Sequence, residues 1–236
     1  MIKAIVFDFV QTLGDAAEGY KAGEKNSQKR LFAKLGIDSW DKYMDLYRDE
    51  RKQHFARSDF SRRNVWIKLH EHYNVPVDNN FLDELEKEYW DFVKNAMKLF
   101  PEAYDVIEKL KNRYKLGLVS NSQKDGSTKA LMNDEYKRIE KLFDAIVIAG
   151  EGDIPAKPDP APFKLVLEKL GVTPEEAIFV GDDFRGDIEG SKKVGLTPVW
   201  LKHYSVERNW PEPSFKVIEI TSLEDVVGIE KRIKEF

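Results

Sequence analysis

The sequence predicts an α/β protein with a doubly wound, parallel-sheet core and a long helical insertion. Two observations carry that prediction. Short apolar runs at residues 5–7, 116–119, 145–148 and 177–180 alternate with segments of helical period, the pattern of a parallel sheet covered on both faces. Between residues 15 and 97 the period is helical throughout, with no strand-like run. The core is therefore assigned to residues 1–14 and 98–236, and an inserted four-helix bundle to residues 15–97.

The elements follow in order. The first strand runs into Asp8, and Gly14 and Asp15 open a turn. The first helix of the insertion carries Leu31, Phe32 and Leu35 and stops at Gly36. Ser39 caps a second, with Trp40, Tyr43, Met44 and Tyr47 on one face. Ser61 starts a third through Val65, Leu69 and Tyr73, and Pro76 breaks the chain before a fourth with Leu82, Leu85, Tyr89, Phe92 and Val93. From Pro101 a helix with Val106, Ile107 and Leu110 leads to a strand at 115–119. A helix near 128–142 (Leu131, Met132, Tyr136, Ile139) leads to the strand at 145–148, and another (Phe163, Val166, Leu167, Leu170) stops at Gly171. A capped turn at 173–176 feeds the strand at 177–180, a short helix ends at Gly195, and strands follow at 197–201 and 216–220. Residues 222–225 have the form of a capping box for a terminal helix.

Composition narrows the function. The 236 residues carry 38 basic and 42 acidic side chains, a net charge of −4, and no basic run along one face, so no nucleic-acid partner is expected. No cysteine is present, which excludes disulfides, thiolate metal sites and a cysteine nucleophile. No apolar run approaches the roughly 20 residues of a membrane span, and the apolar start is cut short by Asp8 without a small-residue cleavage site. No membrane partner is expected, and the cytoplasm is the expected location.

Chemistry-bearing residues stand at the ends of the strands: Asp8 with Thr12 four residues on, Ser120 with Asn121, then Lys157, then Asp182, Asp183 and Asp187. Singly, each is an ordinary turn, loop or helix-capping residue. In this order, each at a strand end and separated by helices, they resemble the motifs of the haloacid dehalogenase (HAD) superfamily of aspartate-nucleophile hydrolases. The resemblance covers most of residues 1–14 and 98–225 and implies a Rossmann-like core with a mobile helical cap. It implies that Asp8 is the nucleophile and that Asp182 binds Mg²⁺ directly. Asp187 would assist through water or by orienting Lys157, and Asp183 could substitute for either acid. The Val10 carbonyl would be a further metal ligand. Ser120 would hydrogen-bond phosphoryl oxygens, Asn121 could add an amide donor, and the Lys157 ammonium would neutralise charge on the nucleophile and transferring group. Thr12 would fix the turn and reach toward the phosphate.

One position departs from the motif. Phosphatases of the family usually carry a second Asp two residues after the nucleophile, as acid to the leaving group and base for water; here that residue is Val10, followed by Gln11. Three readings follow. The first is a Mg²⁺-dependent phosphatase of a small phosphate ester, with His54, Glu50 or Glu71 as conceivable acids from the cap. The second is a metal-independent 2-haloacid dehalogenase, whose halide leaves without a proton and whose substrate carboxylate would need an arginine such as Arg48 or Arg51. The third is a catalytically weak protein that binds phosphorylated metabolites. The phosphatase is favoured. The cap would move about residues 14–18 and 96–100, with Arg48, Arg51, Arg62, Arg63 and Trp66 as candidate contacts on its underside and Arg185 nearer the chemistry. The oligomeric state is left open.

Overall fold

The computed structural model describes residues 1–57, 59, 61–122, 134–202 and 213–235. At its centre lies β1 (Ala4–Phe7), four fully buried residues in a six-stranded parallel sheet. The other strands are β4 (Lys115–Asn121), β5 (Ala145–Ala149), β6 (Ala177–Gly181), β7 (Thr197–Leu201) and β8 (Ile218–Ile220), in the order β5-β4-β1-β6-β7-β8. Successive residues of β1 serve opposite faces. Ile5 and Phe7 join an apolar cluster with Val106, Ile107 and Leu110, whereas Ala4 and Val6 join one with Phe163, Val166 and Leu170. Burial on both faces is why the strands read as unbroken apolar runs.

Register determines what gathers at the sheet edge. Phe7 lies level with Leu118 of β4 and Val180 of β6, so Asp8, Val119 and Gly181 follow side by side. The chain first builds outward from β1 through β4 and β5, then returns to the other side with β6. The strand order therefore reverses between β1 and β6, where open α/β sheets form a crevice at the carboxyl ends of their strands. Helices α5 (Ala103–Lys111) and α7 (Pro160–Leu170) cover opposite faces.

Four helices lie between β1 and α5: α1 (Ala17–Leu35), α2 (Trp40–Ala56), α3 (Arg62–His72) and α4 (Asn79–Ala96). Gly36 ends α1 in the left-handed conformation, with φ 64°. Ser39 accepts from the Lys42 N–H at 3.4 Å and Ser61 from the Asn64 N–H at 3.3 Å, so both are N-caps. Helix α1 lies close along α4 because Gly19 has no side chain: a Cβ there would stand 2.7 Å from Val93 Cα. The chain enters and leaves these helices through an antiparallel pair, β2 (Gly14–Asp15) with β3 (Lys98–Leu99). One apolar cluster runs from the sheet into the helices, joining Phe7 and Leu13 to Leu31, Trp66 and Tyr89.

Several boundaries differ from the sequence reading. β4 runs to Asn121, two residues beyond the expected end, because Ser120 and Asn121 still pair with Ile148 and Ala149. β8 is confined to Ile218–Ile220. Of the helix expected near 128–142, the described residues show α6 (Asp134–Glu140); Leu131 and Met132 lie outside them. The segment after β6 is a π-helical turn, Phe184–Glu189, continuing into α8 (Gly190–Val194). Ser222 caps a 3₁₀ turn (Leu223–Gly228) that precedes α9 (Ile229–Glu235). No helix among the described residues is long and apolar enough to cross a membrane.

Candidate active site

The turn after β1 shapes one wall of the site. The Asp8 N–H donates to Val180 O at 2.9 Å, tying the acid to β6. The Phe9 carbonyl then accepts from the N–H groups of Thr12, Leu13 and Gly14 at 3.3, 2.8 and 3.0 Å, and Gln11 takes φ 66° to make that reversal. The reversal brings Thr12 back over Asp8. Its hydroxyl stands 3.5 Å from Asp8 Oδ2 and 3.4 Å from Asp182 Oδ1, bridging the two acids. The Gln11 amide, oriented to make both bonds, bridges Asp15 Oδ1 at 3.2 Å and the Ala17 N–H at 3.0 Å. Gln11 therefore anchors the start of α1.

Lys157 stands at the centre, 2% exposed. Its Nζ donates to Asp8 Oδ1 at 2.7 Å, Asp187 Oδ1 at 2.6 Å and the Val119 carbonyl at 2.9 Å, using all three ammonium protons. Burial alone would depress the ammonium, but the Asp187 and Asp8 carboxylates outweigh it and hold its pKa above the ordinary value, so it stays charged. The main chain of Lys157 is held as firmly. Asn121 Oδ1 accepts from its N–H at 2.8 Å, and Asn121 Nδ2 donates to its carbonyl at 3.1 Å. The amide expected beside a phosphate thus clamps the loop that carries the lysine. Ser120, one residue earlier in β4, is 3% exposed.

The acids after β6 divide their work. Asp183 Oδ1 accepts from the N–H groups of Arg185 and Gly186 at 3.0 and 2.8 Å and so caps the π turn. One turn later Asp187 points inward, with Oδ1 on Lys157 and Oδ2 accepting from the Asp183 N–H at 3.0 Å. Gly181 makes room for it, since a Cβ there would lie 2.3 Å from Asp187 Oδ2. Burial pushes the Asp187 carboxyl well above the usual range; Lys157 pulls it down, while Asp8, Asp183 and Asp182 raise it further. Trp200 on β7 donates from Nε1 to the Asp182 carbonyl at 3.1 Å, fixing that loop from behind.

Carboxylate oxygens of Asp8, Asp182 and Asp187 all lie within 4.8 Å of one another, and all three residues are buried. Against these three acids the described residues provide one ammonium, that of Lys157. An oxygen-only set with this surplus of negative charge fits a hard divalent cation. Val10 is half-buried and packs against the apolar cluster, so no acid stands at that position.

Other candidates lie within the inserted helices. His54 is 6% exposed with Nδ1 2.8 Å from Asp59, Glu50 lies 4.0 Å from His54 Nε2, and Glu71 pairs with Lys68. Trp66 is fully buried in the bundle. Arg62 packs inside it too, donating to Glu24 at 2.8 Å with its guanidinium 4.2 Å over the Tyr89 ring. Arg63 reaches Asp83 on α4 at 2.6 Å, Arg48 pairs with Asp45, and Arg51 with Glu24. Arg62, Arg63 and Trp66, expected on an underside, are thus engaged in holding the bundle together.

Comparison with known proteins follows the same lines. A family model described as haloacid dehalogenase-like hydrolase matches residues 2–195. Glyceraldehyde 3-phosphate phosphatase from Pyrococcus abyssi is 24% identical over 208 residues, covering 86% of this chain and 82% of that protein. Phosphoglycolate phosphatase from Salmonella typhi is 35% identical over 119 residues, which is 50% of this chain and 45% of the relative. Among solved structures, a HAD phosphatase from Thermococcus onnurineus superposes with a TM-score of 0.67 at 24% identity, covering 97% of this chain and 98% of the other. L-2-haloacid dehalogenase from Xanthobacter autotrophicus superposes at 0.64 with 19% identity, covering 98% and 99%. The fold is common to both activities, and the curated relatives named here are phosphatases.

Proposed function

Because the chain belongs to the haloacid dehalogenase-like hydrolase family, we propose that it is a Mg²⁺-dependent phosphatase of a small phosphate ester, working through an aspartyl-phosphate on Asp8. The supporting observation is the buried acid triad of Asp8, Asp182 and Asp187. For a metal-independent dehalogenation such a concentration of negative charge would serve no purpose, whereas a bound dication matches it. Held by Asp8, Asp182 and the Val10 carbonyl, with Asp187 behind, Mg²⁺ would supply charge neutralisation between carboxylate and phosphate.

The chain's own groups perform the rest. Lys157 keeps Asp8 Oδ1 oriented at 2.7 Å and adds a positive charge where the transferring phosphoryl group builds negative charge. Asp8 attacks phosphorus, a P–O bond to Asp8 forms and the bond to the leaving oxygen breaks, so that the alcohol departs as its anion. Water then attacks the same phosphorus, releasing inorganic phosphate and restoring the carboxylate. Ser120 and Thr12 hold the phosphoryl oxygens. Asn121 acts through the Lys157 main chain. With Val10 unable to give or take a proton, substrates with good leaving groups are favoured, since a missing general acid typically costs about 10²–10⁴ in rate.

In this reading residues 15–97 are a cap over a core of residues 1–14 and 98–236, and closure keeps bulk water from the phosphoryl-enzyme. The β2–β3 pair, where both chain passages run side by side, supports a single pivot. A small phosphorylated metabolite as substrate accords with residence in the cytoplasm, which is part of the proposal. The test is hydrolysis of p-nitrophenyl phosphate with Mg²⁺ or with EDTA. Turnover that depends on Mg²⁺ is expected. Absence of turnover at every metal concentration, with release of chloride from 2-chloropropionate, would overturn the phosphatase reading in favour of the dehalogenase.

A further inference from the structure

Helix α1 packs along α4 and α2 along α3, and α1 and α2 meet through side chains, with Tyr47 and Arg51 both donating to Glu24. Between α1 and α2 lies a groove of about 570 Å³, within the usual range for small-molecule sites. Trp40, Met44, Tyr47 and Phe55 project into it from α2 at positions i, i+4, i+7 and i+15, so the stripe follows one helix face for nearly its whole length. Trp40 and Phe55, at its two ends, are 41% and 42% exposed. Trp40, Met44 and Phe55 thus leave apolar surface open to water, while Tyr47 is buried behind them.

Four cations and one acid surround this apolar stripe. Lys25 and Lys29 line it from α1, both exposed and without an ion pair among the described residues. Arg48 and Arg51 line it from α2. Among the described residues Arg48 pairs with Asp45, three residues away, with both side chains more than two-thirds exposed, an arrangement of little energetic weight. The acid lining the groove, Glu24, is already saturated. Its Oε1 accepts from Arg51 Nη1 and Arg62 Nε at 2.8 Å each, and its Oε2 from Tyr47 at 2.5 Å and Gln28 at 3.2 Å. Among the described residues Arg51 retains its Nε and Nη2 donors, and its guanidinium lies 4.8 Å over the Phe55 ring.

The geometry points to a binding site in this groove for an amphipathic organic anion: a flat aromatic body against Trp40, Met44 and Phe55, and a carboxylate, sulfonate or phosphate group against Arg51, Lys25 and Lys29. A second copy of the chain fits worse, because a two-fold contact would set these cations against themselves. The groove's lining residues belong to α1 and α2, with none from the strand ends that carry Asp8, Lys157, Asp182 and Asp187. It is thus distinct from the crevice at Asp8 and stands whether or not the chain is a phosphatase.

The probe is 8-anilinonaphthalene-1-sulfonate, which has a flat aromatic body and a single anionic group. Titrated into the full chain at low salt and followed by fluorescence and calorimetry, it should bind at one saturable site. Lys25→Glu with Lys29→Glu should weaken it at least tenfold, Met44→Glu should abolish it, and Lys87→Glu on α4 should leave it unchanged. Raising the salt should weaken the wild type and have little effect on the charge-reversed variant. Lys25 and Lys29 are exposed, so that variant keeps its fold even where Met44→Glu does not. Several weak sites indifferent to these changes would overturn the assignment. So would a native dimer dissociated by Lys25→Glu with Lys29→Glu or by Met44→Glu, which would give the groove to a second copy.

Discussion

Replacing Lys157 by Met keeps the length of the side chain and removes the ammonium that bonds Asp8 and Asp187. Asp8 and Asp187 then lose their contacts at 2.7 and 2.6 Å. Three carboxylates remain with oxygens within 4.8 Å of one another. At that separation two unit charges repel by about 3.5 kcal/mol at an effective dielectric near 20. Stripping one partner from a buried pair costs about 3–5 kcal/mol by experience with such pairs. For a chain of this size that corresponds to a fall in Tm of roughly 6–20 °C. The assay is thermal unfolding at pH 8, with EDTA and then with saturating Mg²⁺. In EDTA the variant should lose the full amount. Mg²⁺ should then raise its Tm by more than it raises that of the wild type, because no ammonium competes for the carboxylates. The deficit should shrink as the pH falls: a carboxyl whose folded pKa is raised destabilises above its unfolded pKa, and protonation through the folded value removes the repulsion. Hydrolysis of p-nitrophenyl phosphate should drop by about 10²–10³. An unchanged Tm in EDTA together with the wild-type response to Mg²⁺ would refute the central role given to this lysine.

Asp8→Asn should abolish turnover while circular dichroism and the Mg²⁺-induced rise in Tm are largely kept; unchanged activity would exclude the covalent route. Val10→Asp should raise kcat on an alkyl phosphate far more than on p-nitrophenyl phosphate, because only the poorer leaving group needs a proton. Asn121→Ala should lower kcat with little change in the Mg²⁺ dependence of Tm, since its amide holds the Lys157 main chain and no acid. Glu24→Gln should cost about 3 kcal/mol near neutral pH, the low end for a buried pair because the carboxylate is 28% exposed. Burial opposes ionisation of Glu24, but Arg62 and Arg51 outweigh it and hold its pKa below 4.5. Its stabilisation is therefore present above that value and lost as pH falls through the lower folded one, so urea midpoints of variant and wild type should converge in acid.

The sheet and most of the helix ends were legible because their signals are local. β1 reads as a strand from its apolar residues and ends at Asp8, and Gly36, Ser39 and Ser61 mark helix ends through side-chain chemistry alone. The order of polar groups at strand ends could be read, and register then brought Asp8, Lys157, Asp182 and Asp187 together. What escaped was non-local or too short. Two-residue β2 and β3 have no period to detect. The π turn at Phe184–Glu189 follows from Asp187 having to reach both Lys157 and the Asp183 N–H, a demand invisible without β4 and β6 in place. Arg62 reads as a surface cation, and only the facing Glu24 and Tyr89 reveal why it is 8% exposed. Asn121 gave a donor by type, but its partner lies 36 residues away.

The central position of β1 also sets a schedule. Its neighbours begin at Lys115 and Ala177, so its first residue, Ala4, meets its last partner only 173 positions later. At roughly 5–20 residues per second on the ribosome, the apolar segment Ala4–Phe7 waits about 6–22 s for its first neighbouring strand and about 9–35 s for its second. The inserted helices, whose caps and α1–α4 packing are complete within residues 16–97, can form during that interval. Synthesis therefore favours a half-built chain with finished helices and an orphan strand, the species most exposed to strand-edge association. Slowing translation after Ala96 should lengthen its life and increase aggregation, whereas stabilising the helices alone should not cure it.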